Sequence, residues 1–170
     1  SRGLGDVYKR QLYFINDKDG SKYRKSYFEK YPGVWHHGDF ISINKRGGIR
    51  IHGRSDATLN PGGVRIGTAE LYNIIDVFSD IEDSLVVGQN WKDDQRIILF
   101  LKMKPKIILT DDLIKKIKKL IKIELSPKHV PKLVLSVPDI PYTMNGKKIE
   151  VAVKNIIEGK EITNLSLIHI

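Results

Sequence analysis

Between Thr110 and Leu125 the chain repeats apolar residues at helical spacing. Leu113, Ile114, Ile117, Leu120, Ile121 and Leu125 share one face, and Lys115, Lys116, Lys118, Lys119 and Lys122 lie opposite. A helix with a single apolar stripe is stable only when another layer covers that stripe. Thr110-Asp111-Asp112 suits the helix start, where a hydroxyl can cap free N–H groups and acids meet the positive end of the dipole. Pro127 cannot continue the helix and stops it.

The surrounding segments supply the covering layer. Residues 81–88 contain a short apolar strand, 89–94 a polar turn, 96–103 a second strand and 132–137 a third. Thr68 is expected to cap a helix reaching about residue 79, with Glu70 near its positive end, and residues 148–158 form a closing amphipathic helix. Before this lie two strands, 38–44 and 49–53, joined by Lys45-Arg46-Gly47-Gly48 as a hairpin. Residues 12–34 are polar and aromatic, with a turn at Asp17-Lys18-Asp19-Gly20 and a short helix at 22–30 ending before Pro32-Gly33. The expected class is α+β: from residue 57 a small domain with a short sheet covered by helices, preceded by a β-hairpin. No internal repeat or low-complexity tract stands out.

Composition narrows the options without choosing among them. A hydrophobic share of 41% allows a core, and 29% charged residues give a soluble surface. No run of about 18 apolar residues could span a membrane. The absence of cysteine excludes disulfides and thiolate chemistry and fits a cytoplasmic setting. The net charge of +9 suits nucleic acid, anionic lipid or phosphorylated small molecules, but a Lys- and Ile-rich composition produces the same charge. A small basic nucleic-acid-binding module is therefore the rival from another class, and a ligand-free interaction remnant is a third reading. Neither has a recognition motif in its favour.

Residues 1–11 and the closing Leu165-Ser166-Leu167-Ile168-His169-Ile170 read as assembly scars rather than as fold.

Three constellations carry chemistry. The first is Gly53-Arg54-Ser55-Asp56-Ala57-Thr58-Leu59-Asn60-Pro61-Gly62-Gly63-Val64-Arg65-Ile66-Gly67-Thr68-Ala69-Glu70. Its Gly62-Gly63 pair lets backbone approach a ligand closely. Arg54 and Arg65 bracket that loop with forks suited to phosphate or ribose oxygens. By itself, a glycine turn between arginines is more often structural. The second is Pro141-Tyr142-Thr143-Met144-Asn145-Gly146-Lys147, in which Asn145-Gly146 favours a tight turn with Lys147 at an exposed tip. The third is His36-His37-Gly38-Asp39. Successive strand residues face opposite ways, so the two histidines are not expected to chelate one metal, and no metal ligand is assigned.

Together, and in this order, these segments resemble the adenylate-forming acyl-CoA synthetases, over roughly residues 13–160. Within that family the run Val34-Trp35-His36-His37-Gly38-Asp39 and the two longer motifs are most similar to the acetoacetate-activating branch. The acetate- and propionate-activating branches come next. The resemblance implies a C-terminal fragment: residues 12–55 as the tail of a large N-terminal adenylation domain, 56–160 as the mobile lid, and 161–170 as a tail. It implies that Asp39 hydrogen-bonds the ribose hydroxyls, Arg54 contacts the ribose and Arg65 the AMP phosphate. Asp56 falls at the hinge, Gly62 and Gly63 line the path of the CoA thiol, and Lys122 stands near the CoA 3′-phosphate. Lys147 is the implied catalytic lysine. Two positions depart from the commonest pattern: Ala57 where many members carry a second acid, and Asn145 where many carry Ser. The implied ligands are ATP/AMP, coenzyme A, a short-chain acid and Mg2+, the last held mainly by the N-terminal domain. Nucleic acid and membrane are not implied partners.

Overall fold

The computed structural model describes residues 14–160 and 168–169. The expectation of a scar at residues 1–11, and most of that for 161–170, lies outside them. By its contacts the chain divides between Gly38 and Asp39, and the two units are taken in turn.

The first unit is built around helix α1, Ser21–Tyr27. Asp17 starts it: its carboxylate accepts from the backbone N–H of Lys22 and Tyr23, each at 2.8 Å, replacing partners the first helical turn cannot provide. The helix ends three residues earlier than the sequence suggests, with Phe28 N donating to Arg24 O. Aromatic packing takes over there. Phe14, Tyr23 and Tyr27 meet edge to face, and Tyr27 stacks on Trp35 at 5.6 Å. The adjacent histidines make separate contacts, His36 with Tyr31 and His37 with Trp35.

The second unit opens with the expected hairpin, β1 (Asp39–Ile43) against β2 (Ile49–Arg54), antiparallel with a bulge at Phe40/Ile41. Asn44 organises its turn, since Oδ1 accepts from Arg46 N and Gly48 N at 2.9 Å each. A 3-10 turn at Pro61–Gly63 follows, then helix α2, Thr68–Ile75. Strands β3 (Ile81–Trp91) and β4 (Asp94–Met103) are antiparallel, and β5 (Leu133–Ser136) adds to β4 in parallel. The parallel step requires a crossover, which helix α3, Asp111–Glu124, supplies. Tyr142–Thr143 (β6) pairs with Ile168–His169 (β7), and helix α4, Glu150–Ile157, comes between them in the chain.

The long apolar run of β3 exists because both sheet faces are covered. Val86 points into one core with Leu71 and Ile75 of α2 and Leu113, Ile117 and Ile121 of α3. Its neighbours Leu85 and Val87 point the other way, toward Ile140 and the α4 residues Val153 and Ile157. The expected stripe on α3 is therefore the buried one, with Lys115, Lys116, Lys119 and Lys122 exposed. Lys118 differs from them, its Nζ donating to Lys132 O at 3.3 Å.

Two expectations need correction. Thr110 does cap α3, its hydroxyl accepting from Leu113 N, but Thr68 does not cap α2. Gly67 occupies the cap position, without a side-chain bond, and Thr68 is the first helical residue. The reason is packing. A Cβ at residue 67 would lie 2.3 Å from His52 O, so only glycine fits where β2 crosses the helix start. Thr68 is buried and turns its hydroxyl toward Glu150 instead. The helix also stops at Ile75 rather than near 79, because Asp76–Asp80 must turn the chain into β3.

Candidate functional site

The hairpin register assembles the first part of the site. Asp39 and Arg54 are cross-strand partners at its open end. Arg54 NH1 lies 4.0 Å from Asp39 Oδ1, and its Nε donates to Asp56 Oδ1 at 3.2 Å. A second bond from NH2 to Asp56 Oδ2, 3.3 Å, makes the Arg54–Asp56 pair a two-point fork. That hydrogen bond is the main reason the Arg54 guanidinium is held still more firmly charged than usual. Three residues from two separate motifs thus meet at one corner. Arg65 lies nearby in the chain's folding, its guanidinium 6.0 Å from the Phe40 ring.

The glycine loop is the second part. Gly62 and Gly63 have φ of +57° and +77°, a left-handed backbone that side chains disfavour. Gly62 N donates to Asp94 Oδ1 at 2.7 Å, and Asn60 N to Gln95 Oε1 at 2.6 Å. Both acceptors open β4, so a remote strand end holds the loop. The bonds from Gly62 N and Gln95 N to its oxygen keep the exposed Asp94 carboxyl below the usual range. Lys128 lies over the loop; a Cβ on Gly62 would stand 2.2 Å from its Nζ. A concave surface lined by Asn60, Gly63, Asn90, Lys92 and Asp93–Gln95 adjoins the loop.

The third part is the lysine loop. Thr143 N donates to Lys147 O, Gly146 N to Thr143 O, each at 2.8 Å, and Lys147 N to Thr143 Oγ1 at 3.1 Å. The expected turn therefore forms, with Lys147 exposed. Beneath it, Tyr72 OH donates to Glu150 Oε1 at 2.5 Å and accepts from Val86 N at 3.1 Å. Burial is the first cause raising the pKa of both Tyr72 and Glu150. Lys122, the remaining assigned residue, sits exposed in the last turn of α3.

Several residues around these parts were invisible to motif reading. Glu70 was read as a charge favouring the helix start. It also links two histidines, with His52 Nδ1 3.3 Å from Oε1 and His129 Nε2 3.2 Å from Oε2. Ser42 and Ser126 hold the far ring nitrogens at 2.8 Å. Asp94 and Gln95 sit 32 and 35 positions from Gly62 and Asn60, whose N–H groups they hold, and Lys128 is farther still along the chain, so no local spacing could have shown them. Among the described residues no group of three His, Cys, Asp or Glu side chains gathers as a metal site, and no helix is long and apolar enough to cross a membrane.

Comparison with known proteins gives the arrangement its context. No family profile matches the chain. Over 152 residues it is 57% identical to an acetoacetyl-CoA synthetase of Gallus gallus, covering 88% of this chain and 23% of that protein. An acetoacetyl-coenzyme A synthetase of Rhizobium meliloti is 48% identical over 151 residues, again 23% of its length. Among solved structures, the acetoacetyl-CoA synthetase from Streptomyces lividans superposes with a TM-score of 0.82 at 44% identity, covering 91% of this chain and 24% of that one. An anthranilate CoA ligase in complex with anthranoyl-AMP, at 21% identity and a TM-score of 0.67, shares the fold. The chain spans about a quarter of the length of these relatives. On this likeness, and with the glycine and lysine motifs both folded as loops at its surface, the chain belongs to the adenylate-forming acyl-CoA synthetase family and matches its C-terminal portion.

Proposed function

We propose that the chain is the lid-bearing part of a ligase converting acetoacetate, ATP and CoA to acetoacetyl-CoA, AMP and pyrophosphate. The observation that carries the reading is the identity of 46–57% to acetoacetyl-CoA synthetases over about nine-tenths of the chain. In the first step a carboxylate oxygen of the acid attacks the α-phosphorus of ATP and pyrophosphate leaves. In the second the CoA thiol attacks the acyl carbon and AMP leaves. Residues 12–55 would belong to the large domain and 56–160 to the lid.

Each assigned residue suits its task. Asp39 offers two acceptor oxygens to a ribose diol, and Arg54 stands beside it as donor. Arg65, exposed and always charged, suits the AMP phosphate. Lys147 would stabilise the negative charge that builds as pyrophosphate leaves. Asp56 would be the pivot on which the lid turns between steps, exchanging the Lys147 loop for the Gly62-Gly63 loop. The Cβ-free backbone of those glycines leaves room for the thiol arm of CoA. Lys122 would add charge near the 3′-phosphate, though without an arginine's fork. Mg2+ would be held by the portion outside this chain, which also carries the acyl pocket. The 170-residue chain alone would therefore be inactive, and the whole enzyme would work in the cytoplasm on small molecules.

The test is AMP release by the full-length enzyme with ATP and CoA, comparing acetoacetate, acetate and propionate. Preference for acetoacetate supports the assignment. Preference for acetate or propionate keeps the mechanism and changes the substrate, and no release with any acid overturns the reading.

A further inference from the structure

Lys148, next to the exposed Lys147, turns the opposite way. Its Nζ lies 2.8 Å from Asp83 Oδ1, donates to Ser84 O at 2.6 Å, and stands 4.3 Å from the Tyr72 ring centre. At the other end of the loop, Tyr142 OH donates to Asp83 Oδ2, the second oxygen of the same carboxylate. One β3 side chain therefore ties both ends of the 142–148 loop, whose backbone is also bridged between Tyr142 and Lys148.

This is not an ordinary surface ion pair. The side chains of Lys148 and Asp83 are only 24% and 20% exposed, and Lys148 also donates to a backbone carbonyl and meets an aromatic face. Burial works against the Asp83 charge, but the bonds from Lys148 and Tyr142 outweigh it, so its carboxyl is held below the usual range. An apolar contact would fasten the loop without fixing its height or direction. A pair of converging hydrogen bonds fixes both.

We infer that Asp83, Lys148 and Tyr142 form a positioning clamp that aims Lys147 during adenylation, a role that rests on the assignment of Lys147 proposed above. None of the three touches substrate in this assignment. Their effect passes through the loop, where a displacement of about 1 Å at the reacting group costs on the order of 100-fold in rate.

The experiment compares Lys147→Ala, Asp83→Ala, Lys148→Met and Lys148→Arg in the full-length enzyme. Pyrophosphate release is measured with acid and ATP, and thioester formation with supplied acyl-adenylate. The clamp predicts that Asp83→Ala and Lys148→Met lower kcat for adenylation about 10- to 100-fold while thioester formation stays within about twofold. Lys148→Arg should recover part of the loss, and either variant combined with Lys147→Ala should fall no further than Lys147→Ala alone. If Lys147→Ala abolishes adenylation while Asp83→Ala and Lys148→Met stay near wild type, the clamp is overturned and the Lys147 assignment stands. Equal losses in both half-reactions would reduce the cluster to a structural role and also overturn it. Full adenylation by Lys147→Ala would sink the assignment itself. Should circular dichroism show the Asp83 and Lys148 variants unfolded, Tyr142→Phe decides: a selective loss of adenylation supports the clamp and an unchanged rate removes it.

Discussion

The glycine loop and the lysine loop were both legible as motifs, and in each a carboxylate of the sheet is an anchor, but one is held by its backbone and the other by its side chains. At Gly62-Gly63 no side chain intervenes, and the backbone N–H groups of Gly62 and Asn60 are tied to the Asp94 carboxylate and the Gln95 amide at the start of β4. At Lys147 the side chain is an exposed charge, and the loop beneath it is fastened by the half-buried carboxylate of Asp83. Backbone proposed to admit a ligand needs shape control, which glycine and bonds to main-chain N–H groups supply. A charge in the role proposed for Lys147 needs its base fixed while its tip stays free.

The difference can be broken by mutation. The largest effect is expected from Lys147→Ala in the full-length enzyme: adenylation should fall by about two to three powers of ten, the loss typical of removing one preorganised charge-stabilising donor. Thioester formation from supplied adenylate should be largely spared, and equal loss of both would erase the distinction between the loops. Asp94→Ala should do the reverse, slowing thioester formation about tenfold by loosening the glycine loop while sparing adenylation. Paired half-reaction assays on these two variants read the contrast directly.

A milder test addresses what the two loops share, the anchoring of α2. Glu70→Ala leaves His52 and His129 without their common partner, and the histidine side chains are only 14% and 13% exposed. A stability loss of about 1–2 kcal/mol is expected from denaturant midpoints. The smallest effect concerns pH. Burial raises the Glu150 carboxyl above its ordinary 4.5, so its contribution to stability is complete below that pH and is lost as pH rises through the raised value. Asp83 runs the other way, its depressed carboxyl stabilising above 3.8 and losing that contribution as pH falls. Glu150→Gln should therefore flatten the decline in melting temperature as pH rises above 4.5, and an unchanged slope would place the titration elsewhere.

How far the sequence reached depended on the range of the interactions. The α3 stripe and both core strands were readable because side-chain period follows directly from backbone geometry. Thr68 misled for the same reason: local capping rules favour it, but the close crossing of His52 at Gly67 moved the helix start by one residue. The cluster of Asp39, Arg54 and Asp56 was present as named residues only; hairpin register made it a contact.

By itself, then, the sequence determined the elements, the apolar faces and the two motif loops, since these depend on neighbours within a few positions. Tertiary structure decided which distant charges hold those loops. Asp83 meets Tyr142 and Lys148 across 59 and 65 positions, and Asp94 meets Gly62 across 32. Such pairings arise when strands and helices pack, and no local pattern encodes them.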